Sequence, residues 1–219
     1  MYSVAWDAEY ARGRYADEPP VSFVADIIAV ATEHGLLSGS AIDIGCGNGR
    51  NLLPMRDAGL DAVGLDTSAE GLRQLSRRSP GSRLLLGTVA AFRERSFSVV
   101  VGIQVFQHGD RETALRHLSA AAELVVGGGI LGVRVNAIGT EVWPEHEVIK
   151  RDPSGGFTVR YLAGPKTGLP IHFFSERELR SAVPSDFTEI LPPRLDATRR
   201  EPPAPGSWLQ WEAIWGRSR

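Results

Sequence analysis

The chain has 219 residues, 42% of them hydrophobic and 23% charged, which fits a folded globular chain and excludes a disordered one. A formal net charge of -2 supplies no broad basic field for nucleic acid. No apolar run is long enough to span a bilayer, and the first residues lack the basic and apolar regions of a secretory signal. Cys46 is the one cysteine, so no disulfide can close within the chain and a cytoplasmic setting is expected.

Strand-like and helix-like segments then alternate along the chain, the pattern of an α/β sheet with helices on both faces, read as a single domain over 1–219. Residues 1–20 form an aromatic leader with Trp6, Tyr10 and Tyr15. Phe23, Ile27, Val30 and Ala31 recur at helical spacing, and Gly35 ends that helix. Ala41–Ile44 reads as a buried strand, followed by a glycine loop and a helix from about Arg50 with Pro54 in or near its first turn. Asp61–Leu65 is a second strand, and Thr67-Ser68-Ala69-Glu70 reads as a capping box for the next helix. Arg83–Leu86 and Phe97–Val101 supply two more strands. Asp110 caps a helix whose Leu115, Leu118, Ala122 and Val125 share a stripe, Gly127–Gly129 stop it, and Ile130–Val135 is a fifth strand. Residues 139–171, broken by Pro144, Pro153 and Gly155-Gly156, read as an inserted hairpin or loop, a lid or acceptor wall. Ser175-Glu176-Arg177-Glu178 is a second capping box. The tail has a strand at Thr188–Leu191, a proline-rich connection from Pro202 to Gly206, and Trp208–Trp215, where Leu209, Trp211, Ala213 and Trp215 alternate onto one face.

The chemistry concentrates in Asp43-Ile44-Gly45-Cys46-Gly47-Asn48-Gly49-Arg50, which follows a strand and opens a helix. Glycines allow positive φ and close approach of a ligand to the backbone, while a helix start offers free N–H donors. The dinucleotide spacing G-x-G-x-x-G would put a third glycine where Arg50 stands, and no Gly-Lys-Ser/Thr follows, so NAD is disfavoured and a phosphate-binding Walker loop is excluded. Asp66, ending the second strand, is placed to accept hydrogen bonds from both hydroxyls of a ribose; the alternative is that it only begins the turn before the next helix. Strand, loop, helix, strand and acid in that order point to a nucleoside cofactor.

These segments resemble the cofactor half of class I S-adenosylmethionine (SAM)-dependent methyltransferases, over roughly Ala41–Val135, and the stretch Asp43–Asn51 with Gly64-Leu65-Asp66 is similar to tellurite-resistance-type and related small-molecule enzymes. The resemblance implies a Rossmann-like, seven-stranded, mostly parallel sheet whose last strand, Trp208–Trp215, is inserted antiparallel. It implies SAM as cofactor and S-adenosylhomocysteine as product. Carried over, Asp43 orients the loop and the methionine amino group, Gly45, Cys46 and Gly47 lie against the cofactor, and Asp66 with Thr67 holds the ribose. Thr88 and Val89 border the adenine, Gly102 lies beneath the methionine end, and Tyr15 of the leader covers the cofactor. Thr88 and Ser98 stand where many relatives carry an acid, which leaves the adenine contact open.

The acceptor is expected to be a small molecule, with no nucleic-acid or membrane partner; the sequence carries no reading of oligomeric state. Methyl transfer from a sulfonium needs alignment and, for a hydroxyl or ammonium acceptor, a base. His108, just after the fourth strand, is the candidate base because histidine titrates near neutrality. Tyr10, His108, Arg134, Asn136, Trp143 and His172 are the candidate acceptor residues, Arg134 through a bidentate fork for a carboxylate or amide. No metal set is expected: His146 among Glu141, Glu145 and Glu147 reads as an exposed hairpin. Arg77-Arg78 and Arg199-Arg200 read as solvated charges, and Cys46 as a small loop residue. The expected activity is O- or N-methylation in specialised metabolism. Chalcogen-anion methylation, non-methylating SAM chemistry such as cyclisation, and a catalytically silent SAM-binding regulator are the alternatives.

Overall fold

The computed structural model describes residues 2–16, 18–92, 96–164, 166–202 and 204–219; Pro165 and Pro203, both within turn-rich stretches of the sequence, lie outside the described residues. The elements are α1 (Tyr2–Ala11), α2 (Phe23–Glu33), β1 (Ser40–Ile44), α3 (Leu52–Asp57), β2 (Asp61–Asp66), α4 (Ala69–Arg78), β3 (Arg83–Leu86), β4 (Phe97–Ile103), α5 (Arg111–Glu123), β5 (Val125–Asn136), β6 (His146–Arg151), β7 (Phe157–Tyr161), β8 (Pro170–Phe173), α6 (Glu176–Ser181), β9 (Phe187–Arg199) and β10 (Ser207–Arg217). Seven strands form one sheet in the order β3-β2-β1-β4-β5-β10-β9. β1 to β5 pair in parallel, and β10 runs antiparallel between β5 and β9. This is the expected mostly parallel sheet with an antiparallel strand inserted near its edge.

Strands covered on both faces are apolar at successive positions, as Val99, Val100 and Val101 of β4 show, all fully buried. Val100 packs with Leu118 and Ala122 of α5 and with Trp211, Ala213 and Trp215 of β10 on one side of the sheet. Val99 and Val101 pack with Phe23 and Ile27 of α2, Leu52 and Met55 of α3 and Leu75 of α4 on the other. The alternation read in the last strand therefore matches its burial: Ile214, out of phase with the tryptophans, belongs to the second layer. β1 lies between β2 and β4, the point where strand order reverses and the carboxyl ends of the strands open a crevice.

Four local expectations are corrected. The cap of α4 is Ser68, whose hydroxyl accepts from Gly71 N at 3.0 Å, so the helix starts one residue later than a Thr67 capping box requires. Val125 belongs to β5, which begins before the three glycines and pairs irregularly with β4 between Phe97 and Val99. β9 runs from Phe187 to Arg199 through Pro192-Pro193; as the outermost strand it tolerates prolines that lack a ladder donor. The insert is a three-stranded antiparallel sheet, β6-β7-β8, one strand more than the expected hairpin or loop. Its third strand is short and lies beyond a glycine-rich turn, which hid it from pattern reading.

Candidate functional site

The glycine loop leaves the end of β1 and is built on left-handed backbone, with φ of 74° at Gly45, 53° at Gly47 and 89° at Gly49. A side chain at Gly47 would be strained by that φ and would also place its Cβ 1.9 Å from the Tyr10 hydroxyl. Gly45 N and Cys46 N donate to Leu65 O at 2.7 and 3.1 Å, so the loop is stitched to the end of β2. Asp66 completes the stitch: Oδ2 accepts from Gly47 N and Oδ1 from Ser68 N, each at 2.7 Å. The carboxylate is thus both a loop clamp and the start of the turn into α4. Each of its oxygens has further lone pairs for a ligand hydroxyl.

Asp43 is buried and its Oδ2 has no hydrogen-bond partner among the described residues. Burial, with the nearby Asp66 charge, pushes its carboxyl up to about 8. A buried, unsatisfied carboxyl beneath a glycine loop suits a ligand that brings a cation, such as an α-ammonium group. Burial also pushes the Cys46 thiol up, with Asp43 and Asp66 adding to the effect, which makes a thiolate nucleophile there unfavourable.

The loop opens onto a cavity of about 880 Å³. Gly45, Cys46, Asp66, Thr67, Thr88, Val89 and Tyr15 border it, from the cofactor set read in the sequence. Gly102 does not serve as expected: Phe106 covers it, and a Cβ there would be 2.1 Å from that ring. Its glycine makes room for a core phenylalanine. At Gly47 the neighbour is Tyr10, whose ring lies across the loop.

The leader forms helix α1 and is docked, not loose. Asp7 Oδ1 accepts from Ser68 Oγ at 2.7 Å and from Glu70 N at 3.0 Å. Gln74 Nε2 donates to Tyr10 O and Asn48 Nδ2 to Tyr15 O, both at 2.9 Å. Trp6 and Tyr10 thereby become cavity wall, and burial raises the Tyr10 hydroxyl well above its usual range, with Asp66 adding to the shift.

His108 borders the cavity edge-on to Trp6, ring centroids 4.9 Å apart. Its Nε2 lies 3.1 Å from Gln104 O; a carbonyl only accepts, so Nε2 carries the proton and Nδ1 is bare, buried and unpartnered. Burial, with Lys166 nearby, lowers its pKa to about 3. The expectation of a base titrating near neutrality is therefore corrected. The ring protons of His108 are expected to keep flat NMR shifts between about pH 5 and pH 8, where an ordinary histidine would titrate. A titration midpoint within that window would contradict this.

His172 is also relocated. It is fully buried on β8 of the insert sheet, with Nε2 donating to Glu178 Oε2 at 2.9 Å and Nδ1 accepting from Thr158 Oγ1 at 3.0 Å. Arg111 Nε donates to the other oxygen of Glu178, and Gly156 leaves the space that the carboxylate fills. The Ser175 cap is as read, accepting from Glu178 N at 3.2 Å, but Glu178 spends its side chain on this network. His172 thus fastens the insert to α5 and α6 and does not face an acceptor.

Arg134 reaches the cavity, yet its guanidinium is occupied: Nε donates to Glu212 at 2.8 Å and Nη2 to Asp196 at 2.5 Å. Its fork is not free for an acceptor carboxylate. Asn136 pairs in register with Gln210 and accepts from Trp208 Nε1 at 2.9 Å through Oδ1. Trp143 is half-exposed at the cavity edge.

Several wall residues escaped the sequence reading. Gln107 Oε1 and Gln210 Nε2 are buried without partners, an acceptor and a donor left for a ligand. Lys166 and Tyr161 come from the insert, and Arg199 and Arg200 from the end of β9. Arg200 is tied to the Glu141, Pro205 and Ser207 carbonyls, so only part of that pair is solvated charge. Gln210, set between the apolar Leu209 and Trp211, was a signal available in the sequence; Lys166 offered none.

The loop–acid pair at a strand-order reversal, under a sheet of this topology, defines a nucleoside-cofactor fold of the class I methyltransferase type. Residues 42–131 match the family model described as "Methyltransferase domain". Among similar solved structures is 1,6-didemethyltoxoflavin-N1-methyltransferase from Burkholderia thailandensis, 16% identical with a TM-score of 0.64, over 100% of this chain and 89% of that one. TehB from Haemophilus influenzae is 16% identical with a TM-score of 0.64, over 97% of this chain and 67% of that one. The sugar N-methyltransferase KedS8 from Streptoalloteichus sp ATCC 53650 is 17% identical with a TM-score of 0.63, over 100% and 93%. These likenesses establish the fold. No curated protein matches the chain. Among the described residues no helix is long and apolar enough to cross a membrane, and no group of three or more His, Cys, Asp and Glu is placed to hold a metal.

Proposed function

We propose that this protein methylates a small-molecule acceptor at oxygen or nitrogen, with SAM seated against Gly45, Cys46, Asp66, Thr67, Thr88 and Val89 over Asp43, and the acceptor held between the leader, the insert sheet and the ends of β5 and β10. The cavity carries this reading. At about 880 Å³ it lies within the range of small-ligand sites, roughly 300–1,000 Å³, and the leader and insert both wall it. The buried Asp43 carboxyl lies behind the loop, outside the cavity wall, where its unpaired Oδ2 favours a cationic methionine end, and Asp66 takes the ribose hydroxyls without giving up its backbone clamp. SAM supplies the methyl group on a sulfonium, so the chain's part is alignment and exclusion of water. Residues 1–20 then act as cover and residues 139–171 as acceptor wall. The similar 1,6-didemethyltoxoflavin-N1-methyltransferase and sugar N-methyltransferase KedS8 are named for small acceptors, which supports this reading.

Chalcogen-anion methylation is the second reading. It needs no base, in keeping with a His108 held neutral. Incubation with SAM and a panel of hydroxy, amino and selenite acceptors, read by mass spectrometry, separates the two. A methylated hydroxy or amino product supports the first reading and methylated selenium the second. SAM binding with no product from any acceptor, or a cyclised product, would count against both.

A further inference from the structure

Lys166 lies in the connection between β7 and β8 and borders the cavity. Its Nζ is 5.0 Å from the centroid of the Trp6 ring, and Trp6 is edge-on to His108. Among the described residues the half-buried Lys166 makes no hydrogen bond or ion pair, whereas the buried Arg134 has Glu212 and Asp196, and the buried Arg217 has Asp186. The acids on the cavity wall are engaged elsewhere. Glu9 faces Arg12 at 3.2 Å and Arg14 at 3.9 Å, Glu18 pairs with Arg50, and Asp66 holds two backbone N–H groups. Glu201 stands at the exposed rim. Burial brings the Lys166 amine down to about 8, with Glu9 opposing the shift and Arg14 adding to it, so the group is largely cationic at neutrality and short of a counter-ion.

The surrounding wall is aromatic: Trp6, Phe106, Tyr161, Phe173 and Trp208. A planar ring gains from stacking or edge contacts on such a surface, and an anionic oxygen on that ring gains a charge-assisted bond from the ammonium. Arg199, exposed at the end of β9 and without a side-chain partner among the described residues, adds positive potential at the mouth.

We infer that Lys166, poised over Trp6 on the acceptor wall, is the specificity-determining anchor for an aromatic acceptor that carries an anionic oxygen, a carboxylate or an ionised ring hydroxyl. This rests on the small-molecule reading of the cavity above and names the chemical class of the acceptor.

The test uses the full chain saturated with S-adenosylhomocysteine at neutral pH and titrates it with salicylate and with its neutral isostere salicylamide, read by calorimetry and tryptophan fluorescence. Salicylate is expected to bind about tenfold or more tightly than salicylamide. Lys166→Met is expected to erase that preference while leaving S-adenosylhomocysteine affinity unchanged, and Lys166→Arg to keep most of it. Lys166→Gln, which retains a polar head, repeats the test if the methionine variant does not fold. Equal binding of the two probes by the wild-type protein, no binding of salicylate, or a preference that survives in Lys166→Met or Lys166→Gln would each overturn the assignment. Failure of the wild-type protein to bind S-adenosylhomocysteine would instead remove the reading on which it rests.

Discussion

Replacing Asp66 with alanine is expected to weaken SAM binding about tenfold to a hundredfold. Hydrogen bonds to a charged group contribute roughly 1.5–3 kcal/mol, and each 1.4 kcal/mol or so is a factor of about ten in affinity. Two effects combine in this variant. The ribose loses its acceptor, and Gly47 N and Ser68 N lose the carboxylate that clamps the loop to β2. Asp66→Asn separates them, because its amide oxygen can still accept from one of the two N–H groups. Its affinity should fall between wild type and alanine, with a thermal midpoint nearer to wild type. Calorimetry with SAM on the three proteins checks this, and equal affinities for wild type and alanine would remove the ribose role.

The second large effect is on stability. Glu178→Ala is expected to cost about 3–5 kcal/mol, the range for removing one partner of a buried charged pair. His172 Nε2 and Arg111 would be left facing a void where Oε1 and Oε2 now sit, and Ser154 would lose its acceptor at 3.3 Å. For a chain of this size that loss lowers the thermal midpoint by very roughly 10 °C. Because the network joins β7 and β8 to α5 and α6, the variant should also loosen the insert, seen as faster hydrogen exchange over Phe157–Tyr161 and Pro170–Phe173. The double variant His172→Phe with Glu178→Leu should recover only part of the loss, since it removes the unpaired imidazole but leaves Arg111 and the buried Thr158 hydroxyl without their partners. A loss below about 1 kcal/mol in Glu178→Ala would mean that water or side-chain relaxation replaces the pair.

Features set by nearest neighbours along the chain were legible. The spacing of Gly45, Gly47 and Gly49 after a β-branched strand called for a loop with repeated left-handed backbone, and all three glycines have it. Asp110 and Ser175 cap their helices as read, accepting from Thr113 N and Glu178 N. The odd positions of the last strand alternate because side chains in a strand alternate with period two. The Ser68 correction is small and local: two adjacent hydroxyl residues can both cap, and Asp66 accepting from Ser68 N settles which one does.

The site was less legible, because its charges are answered from far along the chain. Arg134 meets Glu212 across 78 residues of sequence, Arg111 meets Glu178 across 67, and His108 is held neutral by burial and by the positive charge of Lys166. Lys166 belongs to a glycine-rich turn with no periodic pattern, so its place on the cavity wall depends wholly on the insert folding to bring that turn against Trp6 of the leader.

By itself the sequence determined the glycine loop, the acid at the end of β2 and the alternation of elements that forces a parallel sheet. Each of these follows from backbone conformation and short-range periodicity. Only the tertiary structure decided which polar residues are free to meet a ligand. It withdrew Arg134 and His172 into internal pairs, held His108 neutral, and left Gln107, Gln210 and Lys166 without partners. Hydrogen-bond satisfaction and desolvation depend on every group packed around an atom, and local sequence does not contain that information.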